Sequence, residues 1–135
     1  MVVILNRDEI IEYWVTSAEQ DRQTMMHLYE SKDYHWSLFM GHLVLEKLLK
    51  AVYVALVDTN VPRIHDLLRL SEKAGLKPDD KQRDELDLVT SFNIAARYPD
   101  YKHSFYQKCS PAFTEENLTT IKELRTWLLE VLEKR

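Results

Sequence analysis

Apolar residues recur at alternating steps of three and four along most of this chain, and only two glycines, Gly41 and Gly75, interrupt it. That period is the signature of helices that each bury one stripe. Ile11, Trp14, Ala18, Asp21, Met25 and Leu28 form the first stripe. It predicts a helix over about residues 8–30, with Asn6 or Asp8 as the start signal. Ser31-Lys32-Asp33 reads as a tight connection, and short links favour antiparallel neighbours. Leu38, His42, Leu45, Leu49, Val52 and Leu56 mark a second helix from about Tyr34 to Val57. Trp36, Met40, Leu43 and Val54 give it a second apolar side, so it is either central or shared with another subunit.

A short third helix is expected over His65 to Ala74, with Asp66 at its positive end and Gly75 as its stop. A fourth spans about Asp80 to Ala96 on the stripe Leu86, Val89, Asn93 and Ala96. Pro99 disfavours helix at Tyr98, and residues 97–113 read as one long loop. Thr114 then caps a last helix whose inner face is Leu118, Ile121, Leu124, Leu128, Val131 and Leu132. The expected fold is all-α: an antiparallel up-and-down helical bundle of four long helices plus one short helix. It is read as a single domain over residues 1–135, with residues 1–7 as an N-terminal arm whose Val2 to Leu5 pack on the domain or on a partner.

Charge and cysteine usage narrow the function classes. The 135 residues carry 18 Lys and Arg against 22 Asp and Glu, a net charge of −4. That balance argues against a basic coat for duplex DNA, so sequence-specific duplex DNA is not an expected partner. No window approaches the ~20 apolar residues of a membrane span. Cys109 is the one cysteine, which leaves no disulfide framework and no Cys-rich zinc site. The apolar start is too short for a secretory signal, and a cytoplasmic location is expected. The sequence has no glycine-rich phosphate loop and no Gly-x-Ser-x-Gly elbow.

Polar residues inside the apolar stripes are the site candidates. Asp21 is either a rim residue, paired with an Arg or Lys elsewhere, or a carboxylate in the bundle crevice. His42, with Glu46 one turn later, reads as a hydrogen-bonded core or interface histidine. No Glu-x-x-His motif accompanies it, so no metal and no cofactor are expected. Lys47 and Lys50 are a solvated pair with buried stems or contacts for phosphate. His65 is a helix-start group or a site residue. The segment after Ala96 holds Arg97, Lys102 and Lys108 against Asp100, interleaved with Tyr98, Tyr101, Phe105 and Tyr106. Aromatics stack on bases and cations meet phosphates, which is how a nucleotide or single-stranded RNA is held. The alternative is a loop packed by its own aromatics.

In order and spacing these blocks resemble the HEPN domain family (higher eukaryotes and prokaryotes nucleotide-binding). They are Trp14, Ala18 and Asp21, then Tyr34 to Phe39, then His42-Leu-Val-Leu-Glu46-Lys47-Leu-Leu-Lys50-Ala51, similar to the family's Glu-Lys-x-x-Lys-Ala helix. Pro62, His65-Asp66-Leu67-Leu68 and Phe92-Asn93-Ile94-Ala95-Ala96-Arg97-Tyr98-Pro99 follow. The resemblance covers about residues 8–132. It implies a helical homodimer, often the partner of a minimal nucleotidyltransferase and in some cases half of a toxin–antitoxin pair. Nucleotide or RNA contacts then fall on Asn93, Arg97, Tyr98, Tyr101, Lys102, Asp21, Glu46 and Lys50. Some members are metal-independent ribonucleases with an Arg-x(4–6)-His motif, and Arg97 and His103 match that spacing. In such an enzyme Arg97 stabilises phosphate charge and His103 is the general acid or base. The sequence departs from that pattern where Tyr98-Pro99 follows the arginine, because the proline predicts an extended loop where the enzymes have a helix. A dimeric protein-interaction module without a ligand is the third reading.

Overall fold

A computed structural model describes residues 5–135; Met1, Val2, Val3 and Ile4 of the expected arm lie outside the described residues. Six helices and no strand occur among those residues. They are α1 (Arg7–Glu30), α2 (Tyr34–Leu56), α3 (Leu67–Lys73), α4 (Asp80–Arg97), α5 (Pro99–Lys108) and α6 (Pro111–Glu133).

Local chemistry sets most helix ends. Asn6 caps α1 in a reciprocal box: Glu9 N–H donates to Asn6 Oδ1 at 2.9 Å, and Asn6 N–H donates to Glu9 Oε1 at 3.3 Å. Asp79 and Gln82 repeat the box at α4. Asp66 caps α3 by accepting from the Arg69 N–H. Gly75, at φ +84°, closes α3 with the paired backbone bonds Gly75 N–H to Glu72 O and Leu76 N–H to Ser71 O. The same two-bond closure ends α1, where Lys32 takes the left-handed conformation at φ +66°. The chain therefore reverses in three residues and lays α2 against α1 in the opposite sense. Lys47 meets Ser17 and Asp21, whereas Ser37, ten positions earlier, meets Met25.

The segment expected as one loop over residues 97–113 contains a helix, α5, and the described residues form six helices where five were expected. Proline acts twice here. Pro99 holds Tyr98 extended at ψ 129°, so α4 ends at Arg97. The same proline suits the first position of a new helix, where its missing N–H costs nothing and its φ is already helical. Ser110-Pro111 repeats this at α6. Ser110 caps that helix by accepting from the Phe113 N–H, so the expected cap, Thr114, lies inside the helix and is buried.

α2 is the central element and packs against all five others. Thirteen of its residues are buried, which is why it is apolar on more than one side. Its far end is different: Leu56 and Val57 are exposed. Gly41 lies where α2 approaches α6, with Ile121 Cδ1 in the space a Cβ would fill and Met25 Sδ at 3.3 Å from that point. Gly41→Ala is therefore expected to cost about 1–3 kcal/mol from overpacking, partly offset by about 1 kcal/mol of helix propensity. Removing Cδ1 in Gly41→Ala/Ile121→Val relieves the overlap, so the double variant should be more stable in urea than the sum of the two single changes.

Candidate functional site

Two polar residues of the stripes, His42 and Asn93, meet on one side of α2. His42, fully buried, lies at the centre. Its Nε2 donates to the backbone carbonyl of His65 at 2.8 Å, and its Nδ1 accepts from Asn93 Nδ2 at 3.1 Å. Burial is the main cause of a pKa below the ordinary histidine value; the His65 carbonyl and Glu46 oppose it, while His65 and Arg97 add to it. His42 is thus a hydrogen-bonded core histidine, with its proton on Nε2.

Two polar arms run from it. On one side the His65 side chain donates from Nδ1 to Glu46 Oε1 at 2.6 Å, and Lys50 Nζ reaches Glu46 Oε2 at 3.2 Å. Glu46 and Lys50 are both largely buried, and Lys50 also sits 5.4 Å from the Trp14 ring centre. The pair satisfies itself inside the protein. On the other side Asn93 turns its Oδ1 to Arg97 Nη2, and Arg97 Nε donates to the Asn93 backbone carbonyl at 3.2 Å. Arg97 is exposed on the last turn of α4. Its guanidinium lies 5.8 Å from the Phe39 ring and 5.5 Å from the Tyr98 ring.

α5 brings a second cation alongside. Lys102 Nζ is 5.1 Å from the Trp36 ring, and Trp36 meets Phe39 edge-on at 5.6 Å. Arg97 and Lys102 therefore cover two adjoining rings of the same helix. Tyr98 and Tyr101 stand beside them, 51% and 58% exposed, and His103 is also exposed on α5. Lys108 is set apart: it lies over Phe113 at the far end of α5. The basic segment read from the sequence is split by the helix into an Arg97–Lys102 pair and a remote lysine.

Of the residues singled out in the sequence, Asn93, Arg97, Tyr98 and Lys102 come together, and Glu46 and Lys50 join them only through His42 and His65. Asp21 stands apart. Its Oδ2 lies 2.7 Å from Lys47 Nζ, which also donates to Ser17 Oγ at 2.7 Å. The sequence leaves His42 as a core or interface histidine and His65 as a helix-start group or a site residue, and names neither as a nucleotide contact. Their signal was present in a histidine placed on an apolar stripe and another beside a helix cap, but their partners lie 51 and 19 positions away. Cys109, at the end of α5, is buried, and burial pushes its thiol up to about 11, so it carries no thiolate at neutral pH. No cluster of three or more His, Cys, Asp or Glu side chains fit for a metal ion occurs among the described residues. No described helix is long and apolar enough to cross a membrane.

The HEPN domain profile matches residues 11–132, which reaches into every helix and takes in both polar arms. The chain belongs to the HEPN domain family. The HEPN fold seen here also matches the crystal structure of TT1696 from Thermus thermophilus, with a TM-score of 0.77 over 90% of this chain and 97% of that one, at 18% sequence identity. At that identity the likeness concerns the fold alone. No curated protein sequence matches the chain. Within this HEPN domain the Asn93–Arg97 turn lies where α4 leads into α5, on the side of α2 that carries Trp36 and Phe39.

Proposed function

We propose that this HEPN domain is a nucleotide- or RNA-binding module whose contact surface is the α4–α5 corner, working as a homodimer that partners a minimal nucleotidyltransferase. The observation that carries the reading is the pairing of two cations, Arg97 and Lys102, on adjoining α2 rings, with exposed Tyr98 and Tyr101 beside them. Arg97 and Lys102 contact phosphate, and Tyr98 or Tyr101 stacks on a base. Asn93 holds the guanidinium. Glu46, Lys50 and Asp21 support the bundle, because each is already paired within the protein. Exposed Ile94, one turn before Tyr98, extends the same corner with an apolar contact suited to a second protein.

Calorimetric titration with single-stranded oligonucleotides and with ADP tests this. Binding should weaken about tenfold in Arg97→Ala and in Lys102→Ala, and its salt dependence should fall in each. Absence of heat from all of these at millimolar ligand overturns the reading.

One observation favours a ribonuclease as the second reading. His103 is carried by a helix, α5, that begins at Pro99, so the proline leaves only Tyr98 extended between Arg97 and His103. In that reaction the ribose 2′-hydroxyl attacks the adjacent phosphorus, and the 5′-oxygen of the next nucleotide leaves with a proton. His103 supplies the general acid or base, and Arg97 stabilises the phosphorane charge. Cleavage of the same RNA to a cyclic-phosphate end, lost in His103→Ala, distinguishes the enzyme from the binder.

A further inference from the structure

We propose that His42 is the positioning residue for Arg97, acting through Asn93, so that the guanidinium is held at the α4–α5 corner only while His42 is neutral. As a statement about function this rests on Arg97 being the phosphate-contacting group proposed above.

Three contacts demand the same arrangement of atoms. The His65 carbonyl can only accept, so His42 Nε2 carries the proton. Nδ1 then has a lone pair, and the Asn93 atom facing it must be the amide nitrogen. Asn93 Oδ1 is thereby turned to Arg97, which also takes the carbonyl of the same residue through its Nε. The His65 carbonyl is itself fixed, since the His65 side chain is tied to Glu46, which is tied to Lys50. The line of bonds runs from Lys50 through a buried imidazole to an exposed guanidinium.

Protonation of His42 breaks this order. Nδ1–H would face the Asn93 amide N–H group, donor against donor. Rotating the Asn93 amide repairs that contact only by turning its NH₂ towards the guanidinium. No orientation of Asn93 serves both neighbours when His42 is charged. The charged and titratable groups facing His42 are Glu46 from α2 itself, His65 from the segment before α3, and Arg97 from α4. Their contributions are mixed in sign, and burial sets the balance towards the neutral ring. The sign for stability is the same: the unfolded chain binds this proton more readily, so the contribution is full above the ordinary histidine pKa of about 6.5 and is lost as pH falls through the lower folded value.

The test is the signal of Arg97 Nη2–H, the group that donates to Asn93 Oδ1, in ¹⁵N NMR, followed against pH with circular dichroism as the check on folding. At neutral pH His42 should give the Nε2–H tautomer pattern and Arg97 Nη2–H a resolved signal. Acid should protonate His42 and speed Arg97 Nη2–H exchange about tenfold beyond the normal pH trend, with helix content retained. His42→Gln can donate to His65 and accept from Asn93 but does not titrate, so it should keep the signal and lose the acid change. Asn93→Asp, whose carboxylate favours a charged His42, should raise the pH at which His42 titrates. His42→Leu should lose the signal. An Arg97 signal unchanged on protonation of His42, or an acid change that persists in His42→Gln, overturns the proposal. Oligouridine titrations of the same samples separate the two readings. Arg97 released as expected in a protein that binds no RNA leaves the positioning intact and removes the functional reading. RNA binding with an Arg97 indifferent to His42 does the reverse.

Discussion

Phe92→Ala is expected to lower the unfolding free energy by about 3–5 kcal/mol, the usual range for removing a fully buried phenylalanine. Phe92 is 1% exposed on α4, stacked on Phe105 of α5 at 5.4 Å between ring centres and edge-on to Phe113 of α6 at 6.3 Å. It is the ring on which three helices converge. Among the α5 residues whose side chains are described, Phe105 is the only one buried, so the docking of α5 depends heavily on this contact. Urea denaturation should report the loss in stability. Hydrogen exchange should report it unevenly, with α5 amides losing protection before those of α2. Phe92→Leu, which keeps most of the volume, should cost less than half as much. Equal loss of protection in α2 and α5 would refute the claim that Phe92 is the anchor of α5.

Glu46→Leu carries the second large effect, about 3–5 kcal/mol, because it strands a cation. Lys50 is 12% exposed at its side chain and has Glu46 as its ion-pair partner, and Glu46 also accepts from His65. Removing the carboxylate leaves a buried ammonium without its counter-charge, and the loss exceeds any gain from leucine's apolar surface. The double change Glu46→Leu/Lys50→Met removes both charges. It should recover most of the stability, since well-packed apolar residues often replace a buried ion pair at little cost. Thermal denaturation of the two variants side by side checks this. A double variant as unstable as Glu46→Leu alone would mean that the His65 contact, and not the stranded lysine, carries the cost.

These two residues also mark how far the site could be read in advance. Phe92 belongs to the Phe92-to-Pro99 block that carries the family resemblance, and Asn93 and Arg97 stand four apart on one helix turn, a contact that spacing alone implies. Glu46 and Lys50 pair by the same rule. The stripes of α1, α2, α4 and α6 were legible because side-chain direction in a helix repeats every 3.6 residues, so a local pattern fixes which positions turn inward. Asp21 is different. Its alternatives were a rim position, a pair or a crevice carboxylate, and Lys47, its partner, lies on a separate helix. Only the antiparallel placement of α1 on α2 brings them within 2.7 Å.

The prolines mark the other boundary. A proline forbids helix behind it and favours helix ahead of it, so Pro99 carried two local meanings at once. Reading only the first turned α5 into a loop and left Lys108 in the same basic cluster as Arg97. Which meaning holds depends on whether the following residues find something to bury, and Phe105 finds Phe92.

The sequence by itself determined that this chain is a set of amphipathic helices with a HEPN pattern, where most of them start and stop, and which residues one turn apart meet. The tertiary structure decided that His42 meets Asn93 and that His65 meets Glu46. Helical geometry couples a residue to neighbours three or four positions away, whereas a hydrogen bond between residues 51 positions apart exists only after the apolar faces have packed and set the helices side by side.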